Sequence, residues 1–399
     1  MKYKVIFLLI IVIMFNGIIN SRELNELAIV SAMGIELNEN GEYVLTAQIL
    51  NPKKSGNSKK SGNSSSGGGS SADGAIVTVY TNSSESVQNA VRYMIKESPQ
   101  RLYLAHMELL ILSDELASSK EITDTLDFFI RDNEGSSNFT LAISKDCNPS
   151  DVLKTLTPLE TVPTENIINS IGAARKYQGI SVDKLLMEQL EVLLCDGKEM
   201  VVTSISLDGE EDGLQKEEDL ATTNVDTKIV IDDLAYFKGN KLKGYIEGDD
   251  NIMYNLLTNN LQNSVINIGE EKDRIAAEII NSGCKMKPKR ENGEYIIDID
   301  INVECNVTEL GENLSTKDNL EKITKDINNE IKSKVSKFIY NTQNVYESDV
   351  IGLENVFYKH LNKEYKLIQK DFNEKYFQKI KTNVNVSTKL PEGGIVKQW

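Results

Sequence analysis

The sequence predicts an α+β protein of several domains, in which mixed or antiparallel sheets carry packed helices. Apolar and polar residues alternate over long stretches such as Tyr295 to Leu310, which is the period of a half-buried strand. Elsewhere apolar residues recur every three or four positions, as from Leu320 to Phe338, which is the period of an amphipathic helix. The chain has 399 residues, so at roughly 100–200 residues per domain we expect two or three cores.

Composition and element order divide the chain into four segments. Residues 1–21 are expected to be a signal or anchor segment, and residues 22–200 an N-terminal α+β domain. Residues 53–74 within that domain are almost entirely Ser, Gly, Asn and Lys, which predicts a disordered surface loop. A small module with a β-hairpin and a helix is expected over residues 201–264, and a C-terminal α+β domain over residues 265–399.

The N-terminal domain is predicted to open with a hairpin. The apolar runs Ala28–Leu37 and Tyr43–Leu50 flank Asn40-Gly41, a pair that tolerates the positive φ of a tight turn. Ile76–Tyr80 predicts a third strand, and the helix that follows must end at Ser98-Pro99, because the residue before a proline disfavours helical geometry. The other elements predicted here are strands at Leu109–Leu112 and Phe139–Ile143, and helices at Glu121–Phe129, Ile167–Ala174 and Val182–Leu194.

Further along, Gly239-Asn240 predicts the turn of a second hairpin. The acidic run Asp208–Asp219 lacks the ligand order of a calcium loop, so we interpret it as a solvated loop. Ser315 is expected to cap the helix that carries Leu320 to Phe338. The remaining elements predicted for the second half are strands at Val201–Leu207, Val265–Ile268, Ala276–Lys287 and Ile380–Leu390, and helices at Ile252–Leu261 and Gly352–Phe372.

The N-terminus favours export. An unbroken apolar run from Val5 to Phe15 follows Lys2 and Lys4, and its length suits the h-region of a signal sequence. The formal net charge of −16 disfavours nucleic acid and anionic lipid as partners, so membrane association would depend on the apolar terminus.

Cysteine and histidine are too sparse to suggest a metal or redox site. The four cysteines show no Cys-x-x-Cys spacing, and buried free thiols are favoured over a disulfide framework. His106 lies in an apolar setting, where a hydrogen-bonded core histidine is favoured over a ligand contact. No phosphate-binding loop, nucleophile elbow or zinc-protease motif is present, so we predict no catalytic, cofactor-binding or metal-binding residues, and no enzyme.

Several short blocks resemble the Ger(x)C family, which contains the C subunits of spore germinant receptors. At the N-terminus, Gly17 matches the lipobox glycine, Asn20 the Asp/Asn position, Arg22-Glu23-Leu24 the Arg-Glu-Leu motif, and Gly34-Ile35 the following Gly-Ile. The other similar blocks are Ser98–His106, Asp151–Leu153, Pro158–Pro163 and Ala235–Tyr245.

Two positions depart from the family pattern. Ile18 stands where the lipid-bearing cysteine is expected, and Ile19 stands where tryptophan is expected. Because thioether lipidation needs a thiolate nucleophile, we expect no lipidation at Ile18. The retained segment Val5–Ile19 is therefore expected to anchor the chain in place of a lipid.

The resemblance implies a non-catalytic C subunit of a nutrient germinant receptor. Such a subunit would be tethered to the outer face of the cytoplasmic membrane, which is the inner membrane of the spore, and would dock with integral A and B subunits. The sequence leaves open an extracellular solute-binding protein, which would have two similar lobes around a deep cleft. A spore-wall enzyme is a third alternative.

Overall fold

The computed structural model describes residues 27–51, 76–132, 135–195, 197–209, 227–311 and 320–391. In these ranges two sheets, of nine and four strands, are both covered by helices, which confirms the predicted α+β class with mixed sheets. The strands are β1 (Leu27–Leu37), β2 (Tyr43–Leu50), β3 (Val77–Ser84), β4 (Arg101–Tyr103), β5 (Leu109–Ser113), β6 (Thr140–Ser144), β7 (Val201–Asp208), β8 (Lys228–Lys238), β9 (Lys241–Ile246), β10 (Ser264–Ile268), β11 (Ile275–Glu291), β12 (Glu294–Leu310) and β13 (Lys381–Lys389). The helices are α1 (Val87–Tyr93), α2 (Asp114–Ser119), α3 (Ile122–Arg131), α4 (Pro149–Lys154), α5 (Pro163–Tyr177), α6 (Leu186–Leu194), α7 (Asp249–Leu257), α8 (Leu320–Asn344), α9 (Leu353–His360) and α10 (Asn362–Ile368).

The larger sheet has the order β3-β2-β1-β5-β6-β7-β8-β9, and β4 pairs with the start of β1. Its four central strands run parallel, and an antiparallel pair extends it on each side. Strands β7 to β9, from the region expected to form a middle module, therefore continue the same sheet as β1. The division of the chain at residues 200 and 264 stays a prediction.

Helices cover both faces of this sheet. On one face α1, α2, α3 and α6 enclose a core to which α3 contributes Ile122, Leu126 and Phe129. On the other face α4 and α5 pack against strand residues such as Ile111. A parallel sheet needs such cover because its central strands bury residues on both faces, as in β5, where every residue is buried.

The smaller sheet has the order β10-β11-β12-β13, and in the part of the chain that the structure describes it is covered on one face. On β12 the buried residues alternate with exposed or half-buried polar ones from Ile297 to Val307, as predicted. The long helix α8 lies on the apolar face and buries Ile323, Ile327, Ile331 and Val335 at helical spacing. The opposite face carries polar residues such as Asp298, which pairs with Lys289 at 2.8 Å.

Most element predictions agree with the structure. Gly41 has φ +76° and Gly239 has φ +58°, which are the left-handed conformations that both predicted hairpin turns require. The predicted helix Gly352–Phe372 is wrong, because the chain breaks at Leu361, where φ is −128° and ψ is 46°. The break lets Phe372 fold back onto Phe357, with ring centroids 5.7 Å apart.

The prediction of a core histidine is also wrong. His106 lies in the turn between β4 and β5 and is exposed, because the chain reverses there. Its ring packs edge-on against Tyr103 at 5.5 Å.

Five predictions fall outside the described residues. They concern the signal or anchor segment, the absence of lipidation at Ile18, the loop at 53–74, the cap at Ser315 and most of the acidic run that begins at Asp208. Among the helices in the described ranges, none combines the length and apolar character needed to cross a bilayer.

The loop Gly197–Met200, just before β7, joins the two sheets. On one side the carbonyl of Met200 accepts a hydrogen bond from the N–H of Phe237 on β8 (3.0 Å). On the other side the carbonyl of Gly197 accepts one from the N–H of Asn355 on α9 (3.2 Å). Apolar residues of both sheets share one buried cluster here, so the junction is packed.

Candidate functional site

A groove of about 700 Å³ lies between α1, α3 and the segment around β4. We call it the α1–α3 groove. Half-buried or buried apolar side chains form part of its lining, namely Val87, Val91, Leu102, Leu104 and Phe128. A groove of this size with apolar walls suits the binding of a partner's side chains.

Charged residues of both signs also line the groove. Arg131 donates from Nε to both carboxylate oxygens of Asp127 at 2.7 Å. Both side chains are more than half exposed, so this ion pair contributes little to stability and remains accessible to a partner. The other charged residues of the lining are Arg92, Arg101, Glu85, Asp124 and Asp132.

Large apolar side chains are exposed on the same two helical segments. Ile95, just after α1, is 51% exposed and lines the groove, and Ile130 on α3 is 50% exposed. An exposed apolar residue in the lining of a concave surface, as Ile95 is, is typical of protein–protein contact sites.

The block Ser98–His106 supplies one wall of the groove. Ser98 Oγ accepts a hydrogen bond from the N–H of Gln100 (3.3 Å) and donates one to its carbonyl (3.1 Å), which fixes the turn into β4. Strand β4 then pairs in parallel with the start of β1, with Arg101 opposite Leu27. The groove therefore lies where the described chain begins.

The junction between the sheets holds a second group of buried ionisable residues. The Asp349 carboxylate is buried and accepts hydrogen bonds from the N–H groups of Gly352, Leu353 and Glu354 (2.8–2.9 Å), which caps α9. Burial raises the pKa of Asp349 to about 6, although these three bonds favour its charged form. Burial also lowers the pKa of Lys198 to about 8.

Two polar pairs near this junction are already satisfied. Glu354 accepts a hydrogen bond from the Tyr365 hydroxyl at 2.9 Å, and Glu199 accepts one from the N–H of Gly239 at 2.8 Å. In the described ranges, no group of three or more His, Cys, Asp or Glu side chains could hold a metal ion, and Cys147, Cys195, Cys284 and Cys305 are all free thiols.

Comparison with known proteins places the chain in a family. Residues 20–207 match the family model described as "Spore germination protein N-terminal domain", and residues 232–394 match "Spore germination B3/GerAC like, C-terminal". The chain belongs to the Ger(x)C family of spore germination proteins. The two matches cover both sheets of the fold.

Individual relatives span nearly the whole chain. Spore germination protein KC of Bacillus subtilis (strain 168) is 25% identical over 395 residues, which is 98% of this chain and 95% of the relative. Spore germination protein B3 of the same organism is 21% identical over 361 residues, covering 89% of this chain and 87% of that protein. The crystal structure of the GerBC protein matches with a TM-score of 0.55 at 18% identity, over 90% of this chain and 96% of that one, which shows a shared fold.

Sequence reasoning did not identify the groove as a site. It singled out the block Ser98–His106, which includes Arg101, but nothing in the sequence indicated that this block faces α1 and α3. Lys198 lies in a short loop without any motif, so nothing local indicated that its side chain would be largely buried.

Proposed function

We propose that this Ger(x)C-family protein is a non-catalytic, membrane-tethered C subunit of a nutrient germinant receptor. In this proposal it docks with the integral A and B subunits at the outer face of the cytoplasmic membrane. Its family and the position of the α1–α3 groove support the proposal. The groove is the single observation on which the proposed docking with the integral subunits depends.

The position of the groove follows from chain length. If residues 1–21 anchor the chain, only residues 22–26 separate the anchor from Leu27 at the start of β1. Five residues of extended chain span at most roughly 18 Å. Because Leu27 pairs with Arg101, which lines the groove, this face lies close to the bilayer.

The surface of the groove suits a protein partner. It combines the exposed Ile95 and half-buried apolar residues with charged residues of both signs, so it can bury an apolar anchor and pair charges around it. We infer that the partner is a segment of an integral subunit that leaves the membrane beside the anchor.

The alternative of a solute-binding protein has less support. Two similar lobes would be expected for that class, whereas the two sheets described here differ in strand number and order. No observation on the described residues favours a spore-wall enzyme.

Site-directed photo-crosslinking in intact membranes tests the proposal. A benzoyl-phenylalanine at Ile95, in the groove, is expected to crosslink to a polytopic subunit. The same probe at Leu367 on α10, which is 78% exposed and far along the chain, serves as the matched control and should give no such product. Equal crosslinking at both positions, or none to a polytopic protein at Ile95, contradicts docking through the groove.

The anchor requires its own test. Intact-mass measurement of the membrane fraction should give the uncleaved chain. A shed, soluble form that begins near Ser21 would contradict anchoring by the N-terminal segment.

A further inference from the structure

A cavity of about 480 Å³ lies in the smaller-sheet region, separate from the groove. It is lined by the end of α7, the edge of β11 and helix α9. Lys198, in the loop before β7, also lines it. The volume lies within the range of small-molecule sites, roughly 300–1,000 Å³.

Lys198 brings a positive charge to this cavity. In the described ranges no hydrogen bond or ion pair joins its ammonium to another residue, and the ammonium lies 5.3 Å from the centre of the Tyr254 ring. The carboxylate of Asp349 is already engaged by three backbone N–H groups. The negative charge of Asp349 also acts on this ammonium, but in the described ranges no hydrogen-bonded counter-ion lies beside it, so the site is suited to receive an anion.

The backbone at Gly352 leaves room for the Lys198 side chain. Gly352 has φ +86°, and a Cβ built there would lie 3.3 Å from Lys198 Cδ. A glycine is therefore needed at position 352 both for its conformation and for the passage of the lysine side chain.

The edge of β11 adds neutral polar groups. Strand β10 pairs with β11 only as far as Ile279, which leaves the rest of this edge of β11 without a strand partner. Further along the edge, the Asn259 side chain forms two hydrogen bonds with the backbone of Cys284 (2.7 and 3.1 Å). Because backbone groups alternate in direction along a strand, Met286 also presents its N–H and carbonyl to this open side. Pro288, at the next equivalent position, has no N–H, as expected on an unpaired edge.

The other residues that line the cavity indicate which kind of anion it would bind. Lys285 and Lys287 also line the cavity, and in the β11–β12 ladder they lie opposite Asp300 and Asp298. Of the described residues that line the cavity, none is acidic, and Lys359 and His360 are exposed at its border. Apolar lining comes from Leu257, Ile351 and Val356.

We propose that this cavity binds a small organic carboxylate, whose charged group pairs with the Lys198 ammonium and whose apolar part lies against Leu257, Ile351 and Val356. The apolar part of the lining favours an anion that carries an apolar group over inorganic phosphate.

Lysine labelling of the detergent-extracted full-length protein tests this proposal. Hexanoate is expected to slow the acylation of Lys198 several-fold, whereas hexanol, its uncharged counterpart, and inorganic phosphate should have little effect. Lys337, an exposed lysine on α8, is the internal control and should react at the same rate throughout. No protection by hexanoate, or equal protection by hexanol or by phosphate, overturns the proposal.

Variants test the same contact by calorimetry with hexanoate. Lys198→Met should weaken binding at least about thirty-fold, because it removes one partner of a buried charge pair. Lys337→Met should leave the affinity unchanged. Lys359→Met changes only an exposed residue at the border and should weaken binding by about two- to five-fold, so the proposal can be judged even if Lys198→Met does not fold. Unchanged affinity in both cavity variants contradicts the proposal.

Discussion

The backbone N–H of Glu199 donates a hydrogen bond to the backbone carbonyl of Asp349 over 3.0 Å, which links the loop before β7 to the start of α9. The Asp349 side chain caps that helix at the same time. Asp349→Ala should lower the free energy of unfolding by about 2–3 kcal/mol, because three buried N–H groups lose their acceptor. Urea unfolding measures the loss. Asp183→Ala, at an exposed aspartate, is the control and should change stability by less than about 0.5 kcal/mol.

The same carboxyl predicts a pH effect. Burial raises the pKa of Asp349 from 3.8 to about 6 in the folded state, so the folded protein binds this proton more tightly than the unfolded chain. The contribution of Asp349 to stability is therefore greatest below about pH 4 and falls by about 3 kcal/mol as the pH rises through 6. Asp349→Asn does not titrate, so its deficit relative to wild type should shrink between about pH 4.5 and 7. A deficit that grows over this interval would contradict the assignment.

Gln48 is the centre of a buried hydrogen-bond network that joins β2 to the helices on one face of the larger sheet. Its Oε1 accepts hydrogen bonds from the hydroxyls of Thr164 (2.6 Å) and Ser31 (3.0 Å), and its Nε2 donates to the carbonyl of Leu153 (2.9 Å). Gln48→Ala should cost about 2–4 kcal/mol, because it leaves buried groups unpaired and opens a cavity. Gln88→Ala, at an exposed glutamine on α1, should be nearly neutral in the same thermal or urea unfolding.

Gly34 is required by a close approach. A Cβ at this position would lie 2.7 Å from Pro149 Cβ, where β1 packs against α4. Gly34→Ala should therefore destabilise the protein by about 1–3 kcal/mol. Gly283→Ala is the matched control, since a Cβ there meets nothing within 4 Å, and it should be neutral or slightly stabilising. Similar unfolding midpoints for the two variants would refute this explanation of the glycine.

The four thiols should differ in reactivity. Cys195 is exposed, whereas burial raises the pKa values of Cys147, Cys284 and Cys305 to about 12. A maleimide should therefore modify one cysteine quickly in the native protein and all four after denaturation. Peptide mapping identifies the site, and fast labelling of Cys284 or Cys305 would show that the smaller sheet opens.

Local patterns were sufficient where an apolar run follows a turn residue or where one face of an element is buried. The bounds of β2 agree with the prediction from Tyr43 to Leu50, because an apolar run begins after a turn that needs Gly41. The long strand β12 and the helix α8 were recognised because each buries one face. Cys284 and Cys305 agree with the prediction of buried free thiols, whereas Cys147 is half-buried and the prediction is wrong for Cys195, which is exposed.

Tertiary contacts determine the features of the fold and of the candidate sites that local sequence patterns did not predict. The apolar spacing from Gly352 to Phe372 contains no proline or internal glycine, so nothing local indicated the break at Leu361. That break is stabilised by aromatic packing and by the hydrogen bond from Tyr365 to Glu354. The candidate sites are likewise set by how distant segments meet, since β4 lies beside α1 and α3, and Lys198 lies beside α9.

The position of β1 bears on how the chain acquires its structure during synthesis. This strand is made before its neighbours, and its hairpin with β2 can form early, but its other edge pairs with β5, where Ala32 lies opposite Leu109. The ribosome must add more than seventy further residues before that partner exists. Until then a nascent chain displays an apolar strand with one open edge, which is the place where a chaperone would bind or where a misfolded chain would pair.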